Sequence, residues 1–384
     1  MDLTLFFSPV DEGLYSGITS SSSLAKNIRV FGEKMPDFKG AHIAIFGFNE
    51  TRGAGHHPGH LSGPDEVRKK LYQLKRGSGA YRIVDLGNLN AGIDLEESYV
   101  RLSEVCRILM EQNVLPLIIG GTQDLDYGQY WAYERLEKMV SILNVDAFLD
   151  LDDKHTSTAD RKHIHKILLH EPNYLHSYIH LAYQSYLIDP ASIAILEKLY
   201  FEAFRIGQMR HNFTEMEPTI RQADMLSFDL ASIKSADAPG SEHAQPFGLT
   251  GEEACQICWY AGLNEKLSSA GFYGYSADFD DEHRKTASVT ATMIWYFIEG
   301  FYQRKHELNF RSNDFIKYVV AMPQEPETLT FYKSKLTEKW WMEIVPPHAQ
   351  QYGRNSMVPC SYNDYQQATT GELPERYLTA IAKL

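Results

Sequence analysis

Basic residues are in short supply in this chain of 384 residues, where 37 lysines and arginines face 50 aspartates and glutamates for a formal net charge of −13. That balance repels nucleic-acid phosphates and anionic membrane surfaces alike, so neither is an expected partner. Cysteine is scarcer still. Four residues (Cys106, Cys255, Cys258, Cys360) are too few for a disulfide framework and suit a reducing cytoplasm. Cys255 and Cys258 form a Cys-x-x-Cys, but the stretch around them is helix-like and no second pair completes a zinc set, so both read as packing residues. Long apolar runs are missing too: none reaches the ~18 residues of a membrane span. Met1 to Pro9 lacks the cationic region and apolar core of a signal peptide. There is no internal repeat and no Gly-x-x-x-x-Gly-Lys phosphate loop, and Gly53-Ala54-Gly55 lacks the third glycine of a dinucleotide fingerprint. These absences leave a globular cytoplasmic protein, 43% hydrophobic, with room for one large domain and an appendage.

What is present centres on Val140 to Asp153, an apolar run that ends in a burst of carboxylates. It reads as a buried central strand that carries Asp146, Phe148 and Asp150 on one face, because strand side chains alternate. Carboxylates at the end of such a strand sit where open α/β sheets bind ligands, although a strand running into a solvated acidic loop has the same pattern. Upstream, Ala41 to Phe48, Arg82 to Leu86 and Leu115 to Ile119 read as strands. Helices open at Gly63-Pro64-Asp65 and run from Glu96 to Gln112, and Leu136 to Met139 is also helix-like. This alternation calls for right-handed crossovers in a parallel sheet, hence α/β architecture. Leu175 to Leu187 and Tyr200 to Ile206 continue it. His56, His57 and His60, in a Gly- and Pro-rich loop, read as surface residues because no carboxylate or thiol stands beside them at ligand-like spacing.

Gly63-Pro64-Asp65-Glu66-Val67-Arg68, Asp85-Leu86-Gly87, Gly120-Gly121, Asp146-Ala147-x-x-Asp150, Ser227-Phe228-Asp229, Ala238-Pro239-Gly240, Gly248-Leu249-Thr250 and Asp280 followed by Thr286-Ala287 occur in that order. In order and interval they resemble the ureohydrolase superfamily of arginase, agmatinase and formimidoylglutamase, over residues 38–303. Tyr183-Gln184-Ser185-Tyr186 is similar to formimidoylglutamase-type members. The resemblance implies a three-layer α/β/α sandwich around a mostly parallel sheet. It also implies two manganese ions at the carboxyl edge, which generate a hydroxide that attacks a guanidinium or amidine carbon.

The chain departs from that pattern at the ligands. Gln123 stands where the family has its first histidine, Phe148 where it has its second, and Ala231 replaces one carboxylate. Gly274 replaces the glutamate that contacts the guanidinium in arginase-like members. What the resemblance leaves is a single candidate metal site of Gln123, Asp146, Asp150 and Asp229, hard oxygen donors for one manganese or magnesium ion or for none. His163 is the candidate for the family's catalytic histidine. His163, Lys166 and His170 are also spaced as one solvated helix face. Three converging aspartates need raised pKa values or a neighbouring cation, for which Lys154 and Arg161 are candidates.

Two functions follow. The first is a binding or scaffolding protein that has lost hydrolysis, acting on an unidentified small-molecule or protein partner. The second is a hydrolase of linear amidine or guanidine C–N bonds that uses one divalent ion. The ligand losses favour the first. By analogy with the family, a homo-oligomer is expected. Residues 1–37 read as an amino-terminal arm and residues 304–384 as a carboxy-terminal extension, with a strand over Phe315 to Met322 and a helix over Leu373 to Leu384. Its Trp340-Trp341 pair is expected to pack on the chain's own core.

Overall fold

The structure, a computed structural model, describes residues 3–55, 63–151, 157–345 and 356–383. His56, His57, His60 and Lys154 lie outside the described residues.

Apolar β-rich segments build the large sheet: β1 (Phe7–Ser8), β2 (Arg29–Val30), β3 (Ile43–Gly47), β4 (Ile83–Leu89), β5 (Leu115–Ile119), β6 (Val140–Val145), β7 (Leu175–Tyr183), β8 (Glu202–Arg205), β9 (Met225–Asp229) and β10 (Ser269–Tyr273). Their order is β1-β4-β3-β5-β10-β9-β6-β7-β8, with β2 also on β4. Every pairing is parallel except β1 with β4. The central strands are buried on both faces, which explains their continuous apolar runs. Alternation divides them: Ile43 and Ile45 face one apolar cluster, Ala44 and Phe46 the other.

Helices cover both faces. α1 (Gly63–Leu71), α6 (Ile206–His211), α7 (Met216–Ile220), α8 (Gly251–Leu263) and α9 (Lys285–Tyr302) pack on one side. On the other lie α2 (Leu95–Glu111), α3 (Leu125–Arg135), α4 (His163–Leu168) and α5 (Pro190–Lys198). The three-layer α/β/α architecture is thus present, and no helix among the described residues is long and apolar enough to cross a membrane. Cys255 and Cys258 are buried free thiols on α8.

A second sheet is antiparallel, ordered β11 (Phe315–Ala321), β12 (Thr328–Ser334), β13 (Trp340–Ile344), β14 (Ser356–Cys360), and is followed by α10 (Tyr362–Thr369) and α11 (Glu375–Ala382). It has its own apolar cluster. Trp340 and Trp341 are buried, with Trp340 stacked on Tyr318 and Tyr365.

One ion pair fixes α1 to the sheet. Arg68, fully buried, donates from Nε and Nη2 to the two oxygens of Asp85, each at 2.9 Å, and Tyr72 donates to the same carboxylate at 2.8 Å. The motifs around Arg68 and Asp85 therefore meet across one contact. Removing one partner leaves an uncompensated buried charge. Arg68→Met is expected to destabilise the protein by about 3–5 kcal/mol, measured by urea unfolding. A loss below about 1 kcal/mol, the range of an exposed pair, would contradict the role given to this contact.

Candidate active site

β5 and β6 are consecutive in sequence but are separated in the sheet by β10 and β9. Carboxyl ends of four neighbouring strands therefore converge, where parallel sheets open their ligand crevices. Gln123 follows β5, Asp146 and Asp150 follow β6, Asp229 ends β9, and Gly274 follows β10. All five line one cavity of about 310 Å³, with Phe148, Arg161, Ala231, His243 and Tyr275.

β6 ends at Val145, so strand alternation does not place the carboxylates, contrary to expectation. Asp146 and Asp150 sit on a loop, and Asp150 takes a left-handed φ of 23°. This loop, rather than a strand face, turns Asp146, Phe148 and Asp150 toward the cavity.

The aspartates are buried and mutually repulsive. Asp146 is pushed well above the usual carboxylate range by burial, then by Asp150 and Asp229, and it hydrogen-bonds to Asp150. Asp146 thus favours its protonated form. For Asp150 burial pushes upward, but His163, with Nε2 3.4 Å away, and the charge of Arg161 outweigh it and hold the carboxyl below its usual range. Arg161 Nη1 lies 3.1 Å from Asp150 Oδ1, and its guanidinium lies 4.0 Å over the Phe148 ring. Burial, with Asp150 adding to it and the Ala231 N–H opposing, raises Asp229 to about 7. Gly274 has a φ of 78°, and a Cβ there would fall 2.6 Å from Asp229 Oδ1. Asp229 therefore occupies the space a side chain at position 274 would need.

His163 does not lie on a solvated face. Its side chain is fully buried under the loop, with Nδ1 2.8 Å from Asp126 Oδ1 and Nε2 3.4 Å from Asp150 Oδ2. Burial lowers its pKa, yet Asp126 and Asp150 outweigh burial and hold it well above the ordinary histidine value. Asp126 also accepts from Ser227 Oγ at 3.0 Å. His163 is not among the residues that line the cavity, and it meets the site through Asp150. His170 bonds Tyr127 and Glu134 instead.

The sequence reading missed Asp126 and His243. Asp126 belongs to α3, which is buried almost all round and shows little amphipathic signal. His243 stands on the rim, its pKa raised chiefly by Asp160, and its ring meets Phe148 edge-on at 5.9 Å. A histidine soon after Ala238-Pro239-Gly240 was the only signal available for it.

Among the described residues, no three His, Cys, Asp or Glu side chains form a ready-made cation cage. The donor chemistry nevertheless suits one hard ion. Gln123 Nε2 donates to Asn144 at 2.7 Å and Ser227 at 3.2 Å, which leaves its buried Oε1 without a partner. With Asp146, Asp150 and Asp229 this makes four oxygen-donor residues, provided a cation displaces the Asp146 proton. Among the described residues, the other two positions where the family pattern has ligands offer nothing to a second ion: Phe148 and Ala231 have no donor atom, and Arg161 stacks on Phe148.

A model of the arginase family matches residues 41–299. Formimidoylglutamase of Geobacillus sp. is 23% identical over 77% of this chain and 97% of its own length. Formimidoylglutamase of Staphylococcus haemolyticus is 23% identical over 67% of this chain and 85% of its own. Among solved structures, formimidoylglutamase from Bacillus subtilis superposes with a TM-score of 0.66 at 17% identity, covering 75% of this chain and 96% of that one. Trypanosoma cruzi formiminoglutamase with Mn2+ superposes at 0.63 with 20% identity, covering 71% and 100%.

Because the folded state raises Asp229 to about 7, it favours the protonated acid. That preference is fully present below the unfolded carboxyl pKa of about 4 and is lost as pH rises through about 7. Asp229→Asn keeps the acceptor for the Ala231 N–H but never ionises. Its Tm in metal-free buffer is expected to exceed that of the unsubstituted protein at pH 8, with the gap shrinking at pH 4.5. A gap independent of pH would contradict the assignment.

Proposed function

The chain belongs to the arginase family, and from that premise we propose that it is a formimidoylglutamase-like hydrolase of linear amidine or guanidine C–N bonds that works with a single divalent ion. The observation that carries this reading is the unpartnered Oε1 of Gln123 beside three carboxylates at adjoining strand ends. The relatives named formimidoylglutamase support it, since they are matched over most of their length. Manganese or magnesium suits the all-oxygen set better than zinc.

Gln123, Asp146, Asp150 and Asp229 would hold the ion. When bound, such an ion supplies Lewis acidity and lowers the pKa of water. The chain's own groups do the rest. Asp126 fixes the His163 ring, and His163 in turn holds Asp150 ionised and oriented. His243, at the rim with a pKa raised above the ordinary histidine value, is placed to pass a proton to a departing nitrogen. Phe148 and Tyr275 are the apolar wall that narrows water access. The carboxylates attract a cationic amidinium or guanidinium group.

A second reading is a binding protein without turnover. Phe148 and Ala231, with Arg161 over the Phe148 ring, favour it, because losing the second ion removes half of a two-ion clamp. Release of formamide, urea and ammonia from formiminoglutamate, agmatine and arginine, assayed with Mn2+ present, separates the two. The hydrolase reading expects turnover that Asp150→Asn reduces by at least about 100-fold. Equal release from protein and buffer, with amidine binding retained in equilibrium dialysis, would replace it with the second.

A further inference from the structure

A second cavity of about 300 Å³ lies at the opposite edge of the large sheet, lined by Ser141 and Ser177 near the starts of β6 and β7, where the small sheet closes over them with Trp341 and Pro359. Its lining carries five lysines and arginines against three glutamates, an inverted balance in a chain of net charge −13.

Most of these charges are satisfied. Glu202 pairs with Lys383 at 3.4 Å. Glu265 accepts two backbone N–H groups, and Glu307 accepts from Ser334 and Thr337. Arg376 is held by Asp364 and Glu215, and Lys266 by Asp224.

Arg221 and Lys339 are left to share one carboxylate, Glu217. Arg221 Nε stands 2.9 Å from Glu217 Oε1 without a hydrogen bond between them, and Lys339 Nζ approaches no nearer than 3.9 Å. Nη1 of Arg221 is buried without a partner, while Nη2 is anchored on Glu217 and on the carbonyls of Trp340 and Cys360. The same guanidinium lies 4.4 Å over the Trp341 ring. A planar fork with a spare N–H and an adjacent ammonium suits an oxyanion, and partial exclusion of water strengthens the attraction.

We propose that this cavity is a second ligand site, which takes a small oxyanion-bearing organic molecule on Arg221 and Lys339 and lays its apolar part against Trp341 and Phe310. It is independent of the catalytic pocket, which opens at the other end of β6. Arg221 and Lys339 also connect α7, which packs on the large sheet, to the small sheet, since Glu217 lies on α7 and Lys339 immediately precedes β13.

The test titrates the intact protein with inorganic phosphate and, separately, with succinate, at ionic strength held constant with sodium chloride, reading tryptophan fluorescence and Tm. A saturable response is expected, with the apparent Kd at least about 10-fold weaker in Lys339→Gln, in line with loss of a charged hydrogen bond. That variant leaves the Arg221 contacts to Trp340 and Cys360 intact, so folding is not at stake. Saturation by one probe alone identifies the oxyanion class. A response that fails to saturate with either probe, or one unchanged in Lys339→Gln, overturns the proposal.

Discussion

Three buried carboxylates line one pocket, and the local structure is arranged around the cost of keeping them there. Isolated buried charges are too expensive to persist, so such groups neutralise, pair or hold a cation. This chain uses the first two at once. Asp146 is driven toward its neutral acid, while Asp150 is held toward its ionised form between Arg161 and a His163 that is itself held by Asp126. Asp229 is left poised near neutrality. A divalent ion would displace the proton and relieve the repulsion among the three carboxylates, which is the physical argument for the proposed single-ion site.

The same balance limits the chemistry. A protein built for two ions needs donors enough for both, and where the family pattern has its second histidine and a further carboxylate this chain has Phe148, under the Arg161 guanidinium, and Ala231. Arg161 supplies positive charge beside Asp150 without the Lewis acidity of an ion. The ligand replacements on their own tilted the sequence reading toward a binding protein that had lost hydrolysis. Similarity to formimidoylglutamases along most of their length weighs the other way, toward a hydrolase.

The parallel sheet and its motifs were legible because doubly covered strands announce themselves as continuous apolar runs. β5 has the bounds the sequence assigned, Leu115–Ile119, and α2 lies within a residue of its own. Details that depend on three-dimensional surroundings were not legible. α3 is packed on nearly every side and uses buried polar residues such as Asp126 and Gln129, so its amphipathic period is faint. His163 was misassigned because its spacing with Lys166 and His170 describes a helix face but not what covers it. The Asp146 loop was read as strand because apolar Ala147, Phe148 and Leu149 prolong the run beyond Val145, where the backbone leaves the sheet.

Anomalous scattering from a crystal soaked in Mn2+ counts the ions the site holds. One peak per chain is expected, ringed by Gln123 Oε1 and the carboxylates of Asp146, Asp150 and Asp229, with the Arg161 guanidinium still over Phe148. Two peaks per chain, or none at saturating Mn2+, would contradict the single-ion site.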